Sequence, residues 1–269
     1  QVAANPLLQE VVSKKKLSSF LSLSQFVKAI TSLLGPIIAT FVALKYGDWK
    51  WVLVVYAVVN LISILWLSSI KIEEKIKSEI PASFSSCMKL LTNKFVLAMV
   101  IAIFFIVGAD VGMNSNIQSF LMKLHGFSLE KASYGISIYF TALMVSRFVG
   151  AILLQFLKPI FFLVSTTILA LAGILLIIFS TTGIMAQVAI FIVGLGAGNL
   201  FPLIFSIAIN GMPSRSNEIS GLLVMAIVGG ALVPPLMGVV STSTGIIGSL
   251  IILALCFIFL LFIPFVMSK

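Results

Sequence analysis

The sequence predicts an all-α, polytopic membrane protein, and three observations carry that reading. Hydrophobic residues make up 60% of the chain and charged residues only 9%, with a mean hydropathy of +1.22. A water-soluble globule runs near 45 to 50% apolar and about 25% charged. The apolar residues gather into long runs, and a bilayer core about 30 Å thick needs roughly 20 of them per spanning helix. The charges fall between the runs. A net charge of +9 could suggest nucleic acid, but the basic residues occupy short loops and form no basic arm or helix, so no nucleic-acid partner is expected.

Eight apolar segments follow one another, at about 18–44, 51–70, 94–122, 129–155, 159–180, 184–210, 217–240 and 246–267. Residues 1–9 read as the end of a ninth, stopped by Glu10 and by Lys14, Lys15 and Lys16. Turn chemistry separates the rest: Lys45 to Lys50 around Gly47, His125 to Ser128 around Gly126, Lys158-Pro159, Thr182-Gly183, Met212 to Arg215 around Pro213, and Ser243 to Gly245. Trp49, Trp51 and Trp66 sit near span ends, where indole rings anchor at the interface.

One connection is longer and charged, from Lys71 to Lys94, with Glu73, Glu74, Lys75, Lys77, Glu79 and Lys89. Assigning alternate loops to opposite sides puts Lys14, Lys15, Lys16, Lys71, Lys75, Lys77, Lys89, Lys94, Lys158, Arg215 and Lys269 on one side. Only Lys45, Lys50, Lys123 and Lys131 fall on the other. Cytoplasmic loops collect Lys and Arg, so the long loop and the C-terminus are expected in the cytoplasm. Three parts follow: 1–70 as the remainder of an N-terminal bundle, 71–93 as a cytoplasmic linker, and 94–269 as a six-helix bundle. Six spans after a cytoplasmic linker match the second half of a two-times-six-helix transporter, so the chain is expected to begin late in a fourth helix and to lack helices 1 to 3.

Cys87 and Cys256 lie far apart with no metal-type spacing around them, so neither a disulfide nor a metal site is expected, nor any cofactor. The single histidine, His125, sits in a loop without an acidic or cysteine cluster, and no nucleophile and base stand together. The chain does not read as an enzyme.

Asp110 is the sharpest feature. It reads as the only acid within an apolar run, and an ionisable group there costs about 2.5 to 3.5 kcal/mol unless it faces a cavity or a partner. Asp110, Asn114 and Gln118 lie at i, i+4 and i+8, a drift of only about 80° around a helix axis, and so form one polar stripe. Such a stripe can meet a polar ligand, and a carboxyl in poorly hydrated surroundings can exchange a proton. Lys28 and Arg147 are the other charges that look buried, and a pairing of Asp110 with either is open; Arg147 also reads as a headgroup anchor. Asn199, Ser206 and Asn210 lie close to one face of their segment, with Pro202 placed to bare a carbonyl. Asn199 is a candidate ligand, whereas Ser206 and Asn210 read as bonds between helices. Gln25 and Asn5 are multidentate amides suited to a ligand's hydroxyls, and Asn5 before Pro6 equally suits a helix break.

Several strings then point to a family: QVAANP from Gln1 to Pro6, QFVK from Gln25 to Lys28, GADVG from Gly108 to Gly112, SRFVG from Ser146 to Gly150, FPLIF from Phe201 to Phe205, LVMAIVGGA from Leu223 to Ala231 and PPLMG from Pro234 to Gly238. In this order they resemble helices 4 to 12 of the fucose, glucose and galactose proton symporters of the major facilitator superfamily. The last two strings are the most specific.

The resemblance implies a major facilitator fold with about eight full transmembrane helices plus the end of a ninth. It implies a secondary transporter of a neutral hexose or deoxyhexose, coupled to protons and working by alternating access. The substrate-binding residues would be Gln1, Asn5, Gln25, Asp110, Asn114, Gln118 and Asn199, with Asp110, Lys28 and Arg147 for proton coupling or an ion pair. The partners would be a sugar, protons and the lipid bilayer of a bacterial inner membrane, with the full-length protein monomeric. Gln1 stands where fucose-transporting members carry a glutamate, like the glucose and galactose members; a glutamine cannot exchange a proton. Lys28 replaces a commonly neutral polar residue, and Asn199 interrupts the usual small residues. The alternative on the same fold is a non-transporting sensor or an efflux protein.

Overall fold

The computed structural model describes residues 8, 11–48, 50–69 and 83–267. Gln1, Asn5, Trp49 and most of the expected linker lie outside the described residues, and so do the roles expected of them. The chain divides into two compact units, Gln1–Phe26 with Ala82–Lys269, and Val27–Pro81. All regular structure among the described residues is helical.

Helix α1, Leu17–Tyr46, runs for 30 residues, and the division between the units falls within it. In the smaller unit it turns at Gly47, whose φ of 74° favours glycine, and Asp48 Oδ1 accepts from the Lys50 amide at 2.9 Å. Helix α2, Trp51–Ser69, follows. Of its side chains only Val52 is buried; Leu53, Val59, Leu65 and Trp66 are exposed, as are most of the rest.

The larger unit adds α3 (Phe84–Leu90), α4 (Lys94–His125), α5 (Leu129–Leu153), α6 (Pro159–Ile178), α7 (Gly183–Ala197), α8 (Leu200–Gly211), α9 (Ser216–Met225), α10 (Gly229–Thr244), α11 (Ile246–Leu260) and α12 (Ile263–Met267). Seven helical stretches among the described residues are long and apolar enough to cross a membrane. In two of them, α7 with α8 and α9 with α10 act as single interrupted spans, Gly183–Gly211 and Pro213–Thr244.

Caps set the ends. Asn93 Oδ1 accepts from the amides of Phe95 at 2.9 Å and Val96 at 3.3 Å to start α4. Gly126, with φ of 66°, ends it. At 32 residues α4 is about 48 Å long, and it continues past the expected boundary at 122. The reason is that Lys123 and His125 are favourable at a helix C-terminus, where the dipole is negative.

The interruptions also have causes. Pro202 has no amide to give the carbonyl four residues back, so the ladder fails at Gly198 and Asn199, between α7 and α8. A 3-10 turn, Ala226–Val228, divides α9 from α10. There α10 presses on α4 through glycine: a Cβ on Gly229 would lie 2.0 Å from the Phe104 carbonyl oxygen, and one on Gly108 would lie 2.3 Å from Val233 Cγ2. Small residues let membrane helices approach backbone to backbone, where packing rather than water exclusion drives association.

The expectation that Asp110 is the only acid within a span is corrected twice: Glu130 lies in the exposed first turn of α5, inside the span Leu129–Leu153, and a second acid is buried. Glu218, in the first turn of α9 and inside the span Pro213–Thr244, has a side chain only 5% exposed. Arg215 compensates it, with Nη1 at 3.1 Å from Oε1 and 3.2 Å from Oε2. Helix α3, closed by a capping box in which Ser83 and Ser86 each accept the other's amide at 3.1 Å, lies against α9 and sets Cys87 Sγ 4.0 Å from the Glu218 carbonyl oxygen. Burial, and then the Glu218 charge, push the Cys87 thiol up. Thiolate is the reacting form, so at each pH maleimide should label Cys87 more slowly than it labels free cysteine, and the Cys87 rate should still be climbing where that of free cysteine has begun to level. Mass spectrometry of labelled peptides across a pH series, with free cysteine in parallel, checks this; a Cys87 rate that levels together with free cysteine contradicts it.

Candidate functional site

Asp110 sits near the middle of α4, half-buried, between two close contacts of different kinds. Gly108 and Gly112 flank it and seat α10 through Val233 and Met237. On α5, the Tyr139 hydroxyl donates to Asp110 Oδ1 at 2.6 Å. Such a length is typical of a hydroxyl bonded to a carboxylate. Among the described residues Oδ2 takes no hydrogen bond.

Two turns further along α5 stands Arg147. Its Nε donates to the Gly198 carbonyl at 3.2 Å, the group that Pro202 leaves without a helical donor, and Nη1 reaches the Gln25 carbonyl at 3.5 Å. The guanidinium acts through space on both Asp110 and Tyr139 without a direct ion pair to the carboxyl. A positive charge within a span thus has a bared carbonyl, a second carbonyl and a nearby carboxyl to offset its desolvation.

The same helix break holds Asn199. It is fully buried, and its Nδ2 donates to the Ser146 carbonyl at 2.5 Å and to Ser146 Oγ at 2.9 Å. Among the described residues its Oδ1 has no partner. Gly150 makes room, because a Cβ there would sit 2.3 Å from Asn199 Nδ2. The amide therefore braces α5 against the break.

The other predicted residues are placed as follows. Asn114 shares the stripe with Asp110 and has a buried, unpartnered Oδ1. Gln118 donates to Ser133 Oγ at 2.8 Å, tying α4 to α5. The Gln25 side chain is buried. Ser206 Oγ meets Ser18 Oγ at 2.5 Å, and Asn210 Nδ2 donates to the Lys14 carbonyl at 3.3 Å, so both bond to the chain around the start of α1. Lys28 is exposed and belongs to the smaller unit, whereas Arg147 lies with Asp110 in the larger one.

A mid-span acid bonded to a tyrosine, an arginine within a span, two interrupted helices and, among the described residues, seven spanning stretches describe a membrane protein with an ionisable centre. The family model of the Major Facilitator Superfamily matches residues 1–227. The chain belongs to the Major Facilitator Superfamily. With its spanning helices, this makes it an integral membrane protein.

Within the superfamily, a glucose/galactose transporter of Brucella abortus is 32% identical over 171 residues, 63% of this chain and 41% of that protein. The L-fucose-proton symporter of Haemophilus influenzae is 30% identical over 212 residues, 76% of this chain and 48% of that protein. The chain thus spans less than half the length of each of these two relatives. The crystal structure of the major facilitator transporter FucP in the outward conformation superposes with a TM-score of 0.86 at 21% identity, covering 98% of this chain and 72% of that one, which bears on the fold.

Two residues of this site escape sequence reasoning. Tyr139 counts as apolar in a hydropathy reading, and its only signal is that a phenol hydroxyl at mid-span needs a partner. Ser146 appears in the sequence as a small residue before Arg147; its pairing with Asn199 depends on the register of α5 against the helix break.

Proposed function

We propose that the full-length protein carries a neutral hexose or deoxyhexose across a bacterial inner membrane by proton-coupled symport. Two helical bundles, of which 1–70 and 94–269 belong to different ones, joined by 71–93, would rock around a midplane site in a monomer. Asp110 is the observation that carries this reading: a half-buried carboxyl in the middle of a span, with one oxygen held by Tyr139, Arg147 nearby, and Asn114 one turn on along the same stripe. A carboxyl can exchange a proton as its hydration changes between conformations, and its remaining acceptor positions suit sugar hydroxyls. The names of the relatives, glucose/galactose transporter and L-fucose-proton symporter, support the same substrate class.

Uptake of labelled glucose, galactose and fucose into vesicles containing the full-length protein, with and without an inward proton gradient, tests it. The gradient should drive accumulation, and Asp110→Asn should reduce that accumulation at least about tenfold, in line with loss of an acid-base group. Accumulation unchanged in Asp110→Asn rules out coupling at this residue. No uptake at all would favour a sensor, and outward movement of other compounds an efflux protein.

A further inference from the structure

We infer that Tyr139 is the positioning residue of the site: its hydroxyl fixes Oδ1 of Asp110 and so leaves Oδ2 as the oxygen that meets a sugar hydroxyl. The inference rests on the sugar-binding reading of Asp110. Tyr139 is 0% exposed while Asp110 is half-buried, so the phenol lies behind the carboxyl and cannot itself touch a ligand. The 2.6 Å bond occupies one carboxyl oxygen, and among the described residues the other accepts nothing.

The ring is itself held. A Cβ on Gly194 of α7 would come within 3.2 Å of Tyr139 Cδ2 and 2.8 Å of its carbonyl oxygen, so α7 closes directly over this residue. Phe140 adds an edge contact, with ring centroids 6.1 Å apart. A carboxyl on a flexible Cβ–Cγ bond would otherwise rotate; a donor on a rigid, enclosed ring selects one orientation. Arg147 stands two turns further along the same helix as Tyr139 and is anchored separately, on the Gly198 and Gln25 carbonyls.

The test uses Tyr139→Phe in the purified full-length protein. Phenylalanine keeps the ring in its slot and deletes only the hydroxyl. The infrared carboxyl band that disappears in Asp110→Asn identifies Asp110, and that band should shift in Tyr139→Phe. Counterflow of labelled glucose, galactose and fucose, which needs no pH gradient, should show a KM raised about tenfold for the transported sugar with the maximal rate within about threefold, as for losing one hydrogen bond to a charged group. Tyr139 serving only to fill its slot predicts an unmoved band and an unmoved KM, and either result overturns the inference. If the wild-type protein exchanges none of the three sugars, the sugar-binding reading fails, whereas the infrared band still decides whether the tyrosine orients the carboxyl.

Discussion

Replacing Arg147 with methionine is expected to lower sugar uptake by the full-length protein about a hundredfold, with expression and membrane insertion retained. The size follows from the groups left behind. Methionine matches much of the arginine stem, but it strips the donor from the Gly198 carbonyl, a group that Pro202 already deprives of its helical partner. A buried acceptor without a donor costs about 1 to 3 kcal/mol. Asp110 also loses a positive charge that acts on it, and each 1.4 kcal/mol lost from the competent state is about tenfold in function. Arg147→Lys should recover part of the loss: the charge remains, but an ammonium lacks the planar fork that addresses the Gly198 and Gln25 carbonyls together. Initial uptake rates normalised to protein in the membrane decide it. Wild-type rates in Arg147→Met would reduce the residue to a headgroup anchor, the simpler reading its sequence position also allows.

The sequence states this site unevenly, and the reason is physical. Helix ends are written locally, in Asn93, Gly126 and Pro159, so the spans of the larger unit begin where capping and proline chemistry place them. Asp110 is legible because an acid in an apolar run is improbable without a purpose. Pro202 is legible too, since a proline must bare a carbonyl; that Arg147 would find that carbonyl is not. Whatever depends on the register between two helices is invisible to periodicity. Tyr139 meeting Asp110, Ser146 meeting Asn199 and Gln118 meeting Ser133 are all of this kind. Glu218 is missed for a different reason. At the very start of the segment 217–240 and next to Arg215 it looks like a charge at a span end, and only the seating of α3 on α9 shows that it is covered.

Gly229→Ala should be the most damaging alanine substitution in the α4–α10 interface, although it adds a single methyl group. Its Cβ would lie 2.0 Å from the Phe104 carbonyl oxygen, 2.7 Å from its carbon and 3.0 Å from its Cα. All three are backbone atoms of a hydrogen-bonded helix and cannot rotate aside. Gly112→Ala offers the contrast on the same interface: its nearest neighbour is Met237 Sδ at 2.5 Å, the flexible part of an adaptable side chain. Gly238, with nothing within 4 Å of the position a Cβ would take, should accept alanine at a cost below about 0.5 kcal/mol or with a small gain from helix propensity. Overpacking costs about 1 to 3 kcal/mol and more where nothing yields, so the order of melting temperatures in detergent should be Gly238→Ala above Gly112→Ala above Gly229→Ala. Transport should follow the same order, because α10 can relieve the Gly229 clash only by moving off α4 between Phe104 and Gly112, the stretch that carries Asp110 to Tyr139. Equal melting temperatures for Gly229→Ala and Gly238→Ala would mean that α4 and α10 do not approach this closely, and that the glycines of both helices serve bending rather than contact.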